Sequence, residues 1–325
     1  MKAIRIHEVG GPDMLRYEDV AELMPIPDQV IVGVEAAGVN FIDIYHRSGL
    51  YKLPLPATLG QEGGGTVTAV GADVRGVKVG DRVAWTNVQG SYAECVAVPA
   101  DRLVLLPASV STRQGAAVML QGMTAHYLAH STYSLKPGDT CLVHAGAGGV
   151  GLLLTQIAKL RGARVVTTVS TEEKAALSRE AGADLVLLYT RQDIESELKV
   201  FTGGKGVQVV YDSVGISTFE KSINCLAPRG LLALFGQSSG SVPPIDPLLL
   251  SRKGSLFLTR PTLAHYIATR EELEHRARDL FGWIGSGKLH IRMKFEYALK
   301  DAARAHEALA ARQTTGKVLL IPGAS

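Results

Sequence analysis

The sequence predicts an α/β protein with two domains, one a doubly wound parallel sheet and the other mostly β. The chain has 325 residues, more than one ordinary compact core holds. Residues 1–123 carry short apolar stretches separated by glycine and proline turns, whereas residues 124–261 alternate between strand and helix patterns. A glycine motif lies at the first strand-to-helix turn of the alternating part.

The composition is that of a globular protein, with 46% hydrophobic and 20% charged residues. The net charge is only +3 and no basic block is dense, so we expect no nucleic-acid partner. Cys95, Cys141 and Cys225 lie too far apart for a CxxC zinc unit or an obvious disulfide framework. No segment approaches the ~18 apolar residues needed to cross a bilayer, so we expect a cytoplasmic protein without membrane association.

The mostly β domain is predicted from apolar stretches such as Val30–Val34 and Arg82–Trp85, with turns such as Gly80-Asp81 between them. Residues 262–325 follow the alternating part and contain a helical pattern over Arg270–Gly285. This tail is too short to fold alone. We therefore expect it to return and complete the domain formed by residues 1–123.

Residues 124–261 form the second predicted domain, in which strands and helices alternate. The predicted strands are Cys141–His144, Arg164–Ser170, Asp184–Tyr189, Val207–Val214, Leu231–Phe235 and Ser255–Thr259. Helices are expected near Gly149–Leu160, Thr171–Glu180 and Thr218–Leu226. An alternation of this length is typical of a parallel doubly wound sheet.

The stretch CLVHAGAGGVGLLLTQIAKL gives Gly146, Gly148 and Gly151 the spacing G-x-G-x-x-G between an apolar strand and a helix. The first glycine permits a tight turn, the second admits a pyrophosphate, and the third allows close helix–strand packing. The phosphates then meet the positive end of the helix dipole. A glycine-rich turn without a ligand is the alternative, but the strand–turn–helix context favours a dinucleotide site.

The end of the second strand predicts which dinucleotide binds. A site for NAD usually has Asp or Glu there to accept from the ribose hydroxyls. This chain has Ser170, then Thr171, with Lys174 one turn into the helix, and a hydroxyl plus an ammonium suits a 2′-phosphate. The sequence therefore favours NADPH, although Glu172 and Glu173 lie close by and Lys174 is alternatively a solvated surface lysine.

Several segments resemble the quinone oxidoreductase branch of the medium-chain dehydrogenase/reductase superfamily, which includes ζ-crystallin. They are NFIDIYHRSGLY, VGDRVAW, LPASVSTRQGAAVMLQGMTAHYL, HAGAGGVG, VYDSVG, FGQSSG and LTRPTLAHY. The resemblance covers essentially the whole chain in order. It implies a Rossmann-type domain over residues 124–261 and a GroES-like domain over residues 1–123 and 262–325.

Zinc alcohol dehydrogenases of the same superfamily carry a cysteine in the segment that matches Gly38–Asp43 and a histidine followed by Glu in the segment that matches Gly60–Glu62. This chain has Asn40-Phe41 and Gln61-Glu62 there, so the two ligands are replaced by Asn40 and Gln61, which bind zinc poorly. His126 and His130 have i, i+4 spacing on a predicted helix but no third ligand nearby, so a packed or solvated pair is the preferred interpretation. We predict no metal.

Without a metal, the substrate must accept hydride readily, as a quinone or an enone does, and hydrogen-bond donors at its oxygen would assist. The candidate catalytic residues are Asn40, Tyr45 and Tyr51, with Asp43 as an orienting group. By resemblance their segment lines the nicotinamide end of the site. Each catalytic role has a structural alternative: Tyr45 and Tyr51 could be core residues, and Asn40 could only cap a turn.

The resemblance also implies the residues around the cofactor, with Tyr189 at the adenine and Arg260 near the phosphates. Besides Asn40 and the motif glycines, they are Tyr127, Gly149, Val150, Ser170, Lys174, Tyr189, Val214, Phe235, Gly236, Ser238 and Arg260. The implied activity is NADPH-dependent quinone reduction by hydride transfer or by single electrons. A reductase of α,β-unsaturated carbonyls is the alternative enzyme, and a binding or structural protein is the alternative from another class.

The apolar segment SLFLT, Ser255–Thr259, is predicted as the edge strand of the parallel sheet, and nothing after it is available to cover it. Two-fold pairing of such edges would satisfy both strands at once. The resemblance also implies a homodimer built through the nucleotide-binding domains. We expect a homodimer that Lys at Leu256 or Leu258 destabilises.

Overall fold

The computed structural model describes residues 1–324, and its strands and helices are numbered in chain order. The strands are β1 Lys2–Ile6, β2 Arg16–Asp19, β3 Gln29–Val39, β4 Ala57–Thr58, β5 Glu62–Val70, β6 Arg82–Thr86, β7 Cys95–Pro99, β8 Leu103–Leu105, β9 Thr140–Val143, β10 Arg164–Val169, β11 Leu185–Leu188, β12 Val207–Asp212, β13 Leu226–Leu234, β14 Phe257–Thr259, β15 Phe295–Ala298 and β16 Val318–Ile321. The α-helices are α1 Phe41–Arg47, α2 Thr112–Tyr127, α3 Gly149–Leu160, α4 Glu172–Glu180, α5 Ile194–Phe201, α6 Phe219–Cys225, α7 Leu248–Arg252, α8 Leu263–Tyr266, α9 Arg270–Gly285 and α10 Ala302–Ala310.

One compact unit consists of residues 1–123 and 267–325. Its larger sheet has the strand order β15-β16-β3-β5-β6-β8, and β7 also pairs with β3. Strand β16 joins this sheet antiparallel to β3, with Val318 opposite Val39. The C-terminal strand therefore completes a sheet begun by the N-terminal residues. Buried side chains such as Trp85 and Tyr92 fill the core beneath it.

The other compact unit consists of residues 124–266. Its sheet has the order β11-β10-β9-β12-β13-β14, and every pairing in it is parallel. This is the doubly wound order in which the chain reverses direction across the sheet between β9 and β12. Among the predicted helices, Gly149–Leu160 and Arg270–Gly285 are observed with the bounds expected from the sequence. The last strand is shorter than predicted, because β14 begins only at Phe257, and Leu256 before it is buried.

No helix within residues 1–324 is both long and apolar enough to cross a membrane. The three cysteines are free thiols, and Cys141 and Cys225 are buried. Burial raises the pKa of each of these two thiols to about 12, so neither is a reactive thiolate at neutral pH.

Candidate functional site

The carboxyl ends of the parallel strands gather most of the residues predicted to hold a cofactor. In a parallel sheet these ends lie along one edge, and doubly wound folds bind ligands there. The residues that follow the six strand ends in this way are Gly146 after β9, Ser170 after β10, Tyr189 after β11, Val214 after β12, Phe235 after β13 and Arg260 after β14. We call this edge, with the glycine turn 144–151, the cofactor edge.

In the glycine turn between β9 and α3, backbone atoms lie too close together for some side chains to fit. Ala145 has a positive φ of 54°, a strained conformation for a residue with a side chain, and its carbonyl accepts from Gly148 N at 2.9 Å. A Cβ on Gly151 would lie 2.3 Å from that same carbonyl oxygen. A Cβ on Gly148 would instead meet only atoms of Ala145 among the described residues, the nearest at 3.1 Å. Gly148 therefore leaves open space beside the first turn of α3, where helix amides face outward.

Ser170 and Lys174 come together at the end of β10. Lys174 Nζ donates to Ser170 Oγ at 3.4 Å, and Thr171 caps α4 by accepting from Lys174 N at 3.3 Å. Glu172 points toward Arg191 instead, with an N–O distance of 3.6 Å between two exposed side chains. The hydroxyl and ammonium thus form one polar pair at the strand end.

A buried polar network behind β9 and β12 holds the loops of the cofactor edge, and it was missed in the sequence. Asp212 accepts from Val214 N at 2.7 Å and from Ser222 Oγ at 2.7 Å. His144 lies 3.0 Å from the same Ser222 hydroxyl through Nε2 and 2.8 Å from Thr168 Oγ1 through Nδ1. Burial lowers the pKa of His144, so the ring is neutral and links Thr168 on β10 to Ser222 on α6 by hydrogen bonds.

Backbone hydrogen bonds join the loop after β13 to the end of β12 and the loop after it. Phe235 N and Gly236 N both donate to Asp212 O, at 2.8 and 3.3 Å. Ser238 N donates to Ser213 O at 3.2 Å. Val214, Phe235, Gly236 and Ser238, which were predicted as cofactor residues, therefore belong to one bonded pair of loops.

Tyr127 and Tyr189, two aromatic residues predicted near the cofactor, differ in environment. Tyr127 is 2% exposed and stacks on Tyr266, with ring centroids 4.2 Å apart and an interplanar angle of 5°. Tyr189 is 42% exposed at the end of β11. Tyr189 thus presents a free face for stacking an aromatic base, whereas Tyr127 packs within its own unit.

The predicted catalytic residues lie on α1 and the turn after it, in the unit formed by residues 1–123 and 267–325. Asn40 is the N-cap residue, Asp43 lies in the first turn, and Tyr45 lies further along the helix. The rings of Tyr45 and Tyr51 meet edge to face with centroids 5.3 Å apart. The His46 ring also lies near Tyr51, with a centroid distance of 6.2 Å. The structure thus brings the two candidate tyrosines together.

Asp43 is fully buried and holds the start of α1. Its Oδ2 accepts from Asn40 N at 2.8 Å and from Tyr92 Oη at 2.9 Å. Burial raises the pKa of Asp43 to about 7, and the hydrogen bonds from Asn40 and Tyr92 oppose this shift only in part. The Oδ1 atom has no hydrogen-bond partner among residues 1–324, which also favours the protonated acid.

A chain of buried polar groups extends from Asp43. Tyr92 Oη lies 3.1 Å from His306 Nε2, and Arg47 Nη1 lies 3.4 Å from His306 Nδ1. Arginine has no acceptor, so His306 Nδ1 accepts and Nε2 carries the ring proton. Burial, reinforced by Arg47, lowers the pKa of His306 to about 3, so this histidine is a neutral link at physiological pH.

The Asn40 side chain bonds to three side chains whose role sequence reasoning did not find: Glu62, Gln121 and Lys317. Lys317 is 1% exposed, and its ammonium contacts the Glu62 carboxylate, which is 0% exposed. No local pattern signals this pair, because the two residues are 255 positions apart.

Comparisons with known proteins agree with this geometry. Residues 26–108 match the family described as "Alcohol dehydrogenase GroES-like domain", and residues 149–281 match "Zinc-binding dehydrogenase". The chain is 48% identical to a quinone oxidoreductase of Pseudomonas aeruginosa over 323 residues. This alignment covers 99% of each protein.

The chain belongs to the quinone oxidoreductase branch of the medium-chain dehydrogenase/reductase superfamily. Its fold is similar to that of an Escherichia coli quinone oxidoreductase solved in complex with NADPH, with a TM-score of 0.97, 45% identity and coverage of 99% of this chain and 100% of that one. It is also 42% identical to a 2-haloacrylate reductase of a Burkholderia species, over 98% of each chain. The family resemblance and the fold class predicted from the sequence are confirmed.

Within this family the positions of interest are those that hold zinc ligands in the zinc alcohol dehydrogenases. Asn40 is committed to the network with Glu62 and Lys317. Gln61 Nε2 donates to Gln89 Oε1 at 3.4 Å, and Gln89 Nε2 donates to Thr58 O at 2.8 Å. Amide groups that bond to one another make a poor zinc-binding set. His126 and His130 stack with centroids 4.2 Å apart, which agrees with a packed pair.

The raised pKa of Asp43 gives a testable pH dependence. A carboxyl whose pKa is about 7 in the fold and 3.8 when unfolded binds an extra proton in the fold between these values, so its contribution to stability grows as the pH falls. We expect Asp43→Asn to lack this gain. In urea unfolding the free-energy difference between the wild type and Asp43→Asn should increase by about 2–3 kcal/mol from pH 8 to pH 5. A difference that stays constant with pH would mean that Asp43 is ionised throughout.

Proposed function

We propose that this protein is an NADPH-dependent quinone reductase that works without a catalytic metal. The observation that carries the proposal is the cofactor edge, where the open space at Gly148 and the polar pair of Ser170 and Lys174 suit a dinucleotide with a 2′-phosphate. The similarity to a quinone oxidoreductase solved with NADPH supports it. The three cysteines of this chain are free thiols, as is usual for proteins of a reducing compartment, and this supports a cytoplasmic location.

The residues present fit the cofactor. The amides at the start of α3 would hold the pyrophosphate, Ser170 and Lys174 the 2′-phosphate, and Tyr189 the adenine. Arg260, after β14, would add a positive charge near the phosphates, and the bonded loops after β12 and β13 would flank the nicotinamide ribose. NADPH, when bound, supplies the hydride.

The residues on α1 would serve the acceptor. As a quinone takes up hydride, negative charge develops on its oxygen, and a donor held at that oxygen lowers the barrier. We propose the hydroxyls of Tyr45 and Tyr51 as these donors, because their rings fix one another at 5.3 Å. Asn40 and Asp43 are buried and bonded within the protein, so we assign them to holding the helix that carries Tyr45.

A reductase of α,β-unsaturated carbonyls is the second candidate. The 42% identity to a 2-haloacrylate reductase favours it, since an acrylate is an α,β-unsaturated acid. Charge develops on an oxygen in both reactions, so the same donors would serve either acceptor.

An acceptor panel tests both functions. Purified protein is assayed with NADPH and with NADH against 9,10-phenanthrenequinone, 1,4-benzoquinone, an alkenal and a 2-haloacrylate, with and without a chelator. We expect the highest kcat/KM with a quinone and NADPH, and no change in chelator. Preference for the alkenal or haloacrylate would favour the second candidate, and loss of activity in chelator would contradict the metal-free assignment.

We also propose a homodimer formed through β14. This strand lies at the edge of the parallel sheet within residues 1–324, and Phe257 on it is 61% exposed. Leu256 and Leu258 pack against the core instead. The substitution suggested by the sequence, Lys at Leu256 or Leu258, would therefore damage the fold, and Phe257 is the correct position to change.

We expect Phe257→Lys to convert a dimer into a monomer at micromolar concentration, because a charge on each of two facing edges disfavours their pairing. The measurement is mass by light scattering across a dilution series. Val200→Lys is the matched control, since Val200 is an 83% exposed apolar side chain on α5 of the same unit. A wild-type protein that is monomeric at that concentration would contradict the proposal.

A further inference from the structure

Lys317 is a lysine in an unusual place, with 1% of its side chain exposed. Its Nζ contacts Glu62 Oε1 and donates to Asn40 Oδ1 at 3.1 Å. Burial lowers the pKa of Lys317 to about 7, and the charge of Asp43 opposes this shift. The Glu62 carboxylate in contact with Nζ also favours the ammonium form. Folds commonly gain stability when such a pair is replaced by apolar side chains, so stability alone is a weak reason for its presence.

The Asn40 amide is fully engaged by its neighbours. Its Oδ1 accepts from Lys317 Nζ and from Gln121 Nε2, the latter at 3.0 Å. Its Nδ2 donates to Glu62 Oε1 at 2.7 Å and to Gly38 O at 3.4 Å. An amide has two hydrogens and two acceptor sites, so no hydrogen of Asn40 is left for an acceptor molecule. Asn40 therefore links parts of the chain.

Parts of the chain far apart in sequence meet at this amide. Glu62 begins β5 and also accepts from Leu120 N at 2.7 Å through Oε2. Lys317 comes immediately before β16, whose Val318 lies opposite Val39 on β3. A Cβ on Gly38 would lie 2.2 Å from Glu62 Oε1, so glycine is needed there for the carboxylate to reach Asn40. The site is thus shaped around the carboxylate.

The start of α1 depends on the same residue. Asn40 N donates to Asp43 Oδ2 at 2.8 Å, and Asp43 N donates to Asn40 O at 3.1 Å. The position of Asn40 therefore sets where α1 begins and how its first turn is held. Tyr45 lies on this helix, against Tyr51.

We propose that Lys317 and Glu62 are positioning residues of the reductase site, which fix the Asn40 amide and so hold α1 and Tyr45 in the geometry that the acceptor needs. This inference rests on the proposed function for the role of Tyr45. Reaction rates are sensitive to displacements of about 1 Å in groups that orient the reactants. The Asn40 amide, with all its hydrogen-bonding groups engaged, would hold the first turn of α1 to within such a distance.

The test separates positioning from charge neutralisation. We compare Lys317→Met, Lys317→Arg and the double variant Glu62→Gln/Lys317→Met with the wild type, with Lys300→Met as the control because Lys300 is exposed on the same C-terminal segment. Five quantities are measured: the melting temperature, the affinity for 2′,5′-ADP, hydrogen exchange of residues 38–47, and kcat and KM for a quinone. The 2′,5′-ADP affinity reports folding of the unit with the cofactor edge and should stay within about twofold of the wild-type value throughout.

Lys317→Met leaves the Glu62 carboxylate buried without its cation, so its melting temperature should fall. The double variant removes both charges and should melt near the wild-type temperature. If Lys317 positions Asn40, the double variant still exchanges residues 38–47 faster and has kcat lowered by roughly tenfold or more, with a smaller change in KM. Lys317→Arg, which keeps the cation, should recover part of that kcat.

The proposal is overturned if the double variant regains wild-type kcat together with its melting temperature, or if residues 38–47 exchange as in the wild type. The double variant decides the matter even where Lys317→Met does not fold. A wild-type protein and a Lys300→Met variant that both fail to reduce any acceptor would reject the proposed function instead, and the exchange measurement would still decide whether Lys317 holds α1.

Discussion

Gly148→Val is expected to lower the affinity for NADPH by at least about a hundredfold while the protein remains folded. The backbone of Gly148 has a φ of −73°, which any residue adopts, and its Cβ would meet only Ala145 among the described residues. The valine methyl groups would then occupy the space beside the first amides of α3, where a pyrophosphate would lie. The loss should therefore be one of binding and not of folding.

Fluorescence titration with NADPH and a thermal melt measure the two effects separately. Gly282→Val is the control, because a Cβ at Gly282 on α9 would meet no atom of residues 1–324 within 4 Å beyond its chain neighbours and the backbone of its own helix. Gly151→Ala is the opposite case. Its Cβ would lie 2.3 Å from Ala145 O, a backbone atom that cannot swing aside, so we expect a lower melting temperature. A Gly148→Val protein that binds NADPH normally would refute the cofactor edge as the dinucleotide site.

The sequence predicted those parts of the fold that depend on local patterns. The helices Gly149–Leu160 and Arg270–Gly285 and the strand–helix alternation follow from periodicity and turn residues, which act over a few positions. The glycine motif predicted the turn after β9 for the same reason. The family resemblance added the pairing of a GroES-like unit with a doubly wound sheet, and the structural similarity confirmed it.

The buried networks escaped prediction because they join residues that are distant in the chain. Lys317 and Glu62 look like ordinary surface charges at strand ends, and only the pairing of β16 with β3 buries them. Tyr92 and His306 are 214 positions apart and carry no shared motif. The orientation of Leu256 and Phe257 also escaped prediction. An apolar run does not reveal which of its side chains faces the core, and here Leu256 is buried while Phe257 is exposed.

The preference for NADPH can be assigned to a few atoms at the end of β10. Lys174 Nζ lies 3.4 Å from Ser170 Oγ, so an ammonium lies beside the strand end, and Glu172 is directed toward Arg191. A 2′-phosphate there gains charge-assisted hydrogen bonds that the 2′-hydroxyl of NADH lacks. The difference between the two cofactors should therefore lie in this contact and should weaken as salt screens it.

Lys174→Ala is expected to weaken NADPH binding by about 1.5–3 kcal/mol, the scale of a hydrogen bond to a charged group, and to leave NADH nearly unaffected. Ser170→Ala should have a smaller effect in the same direction, since it removes a neutral donor. Lys199→Ala is the control, an exposed lysine on α5 of the same unit. Dissociation constants for both cofactors at low and high salt give the measurement, and the gap between wild type and Lys174→Ala for NADPH should narrow as salt is added. Equal losses for NADPH and NADH would show that Lys174 supports the fold of α4 and does not read the 2′-phosphate.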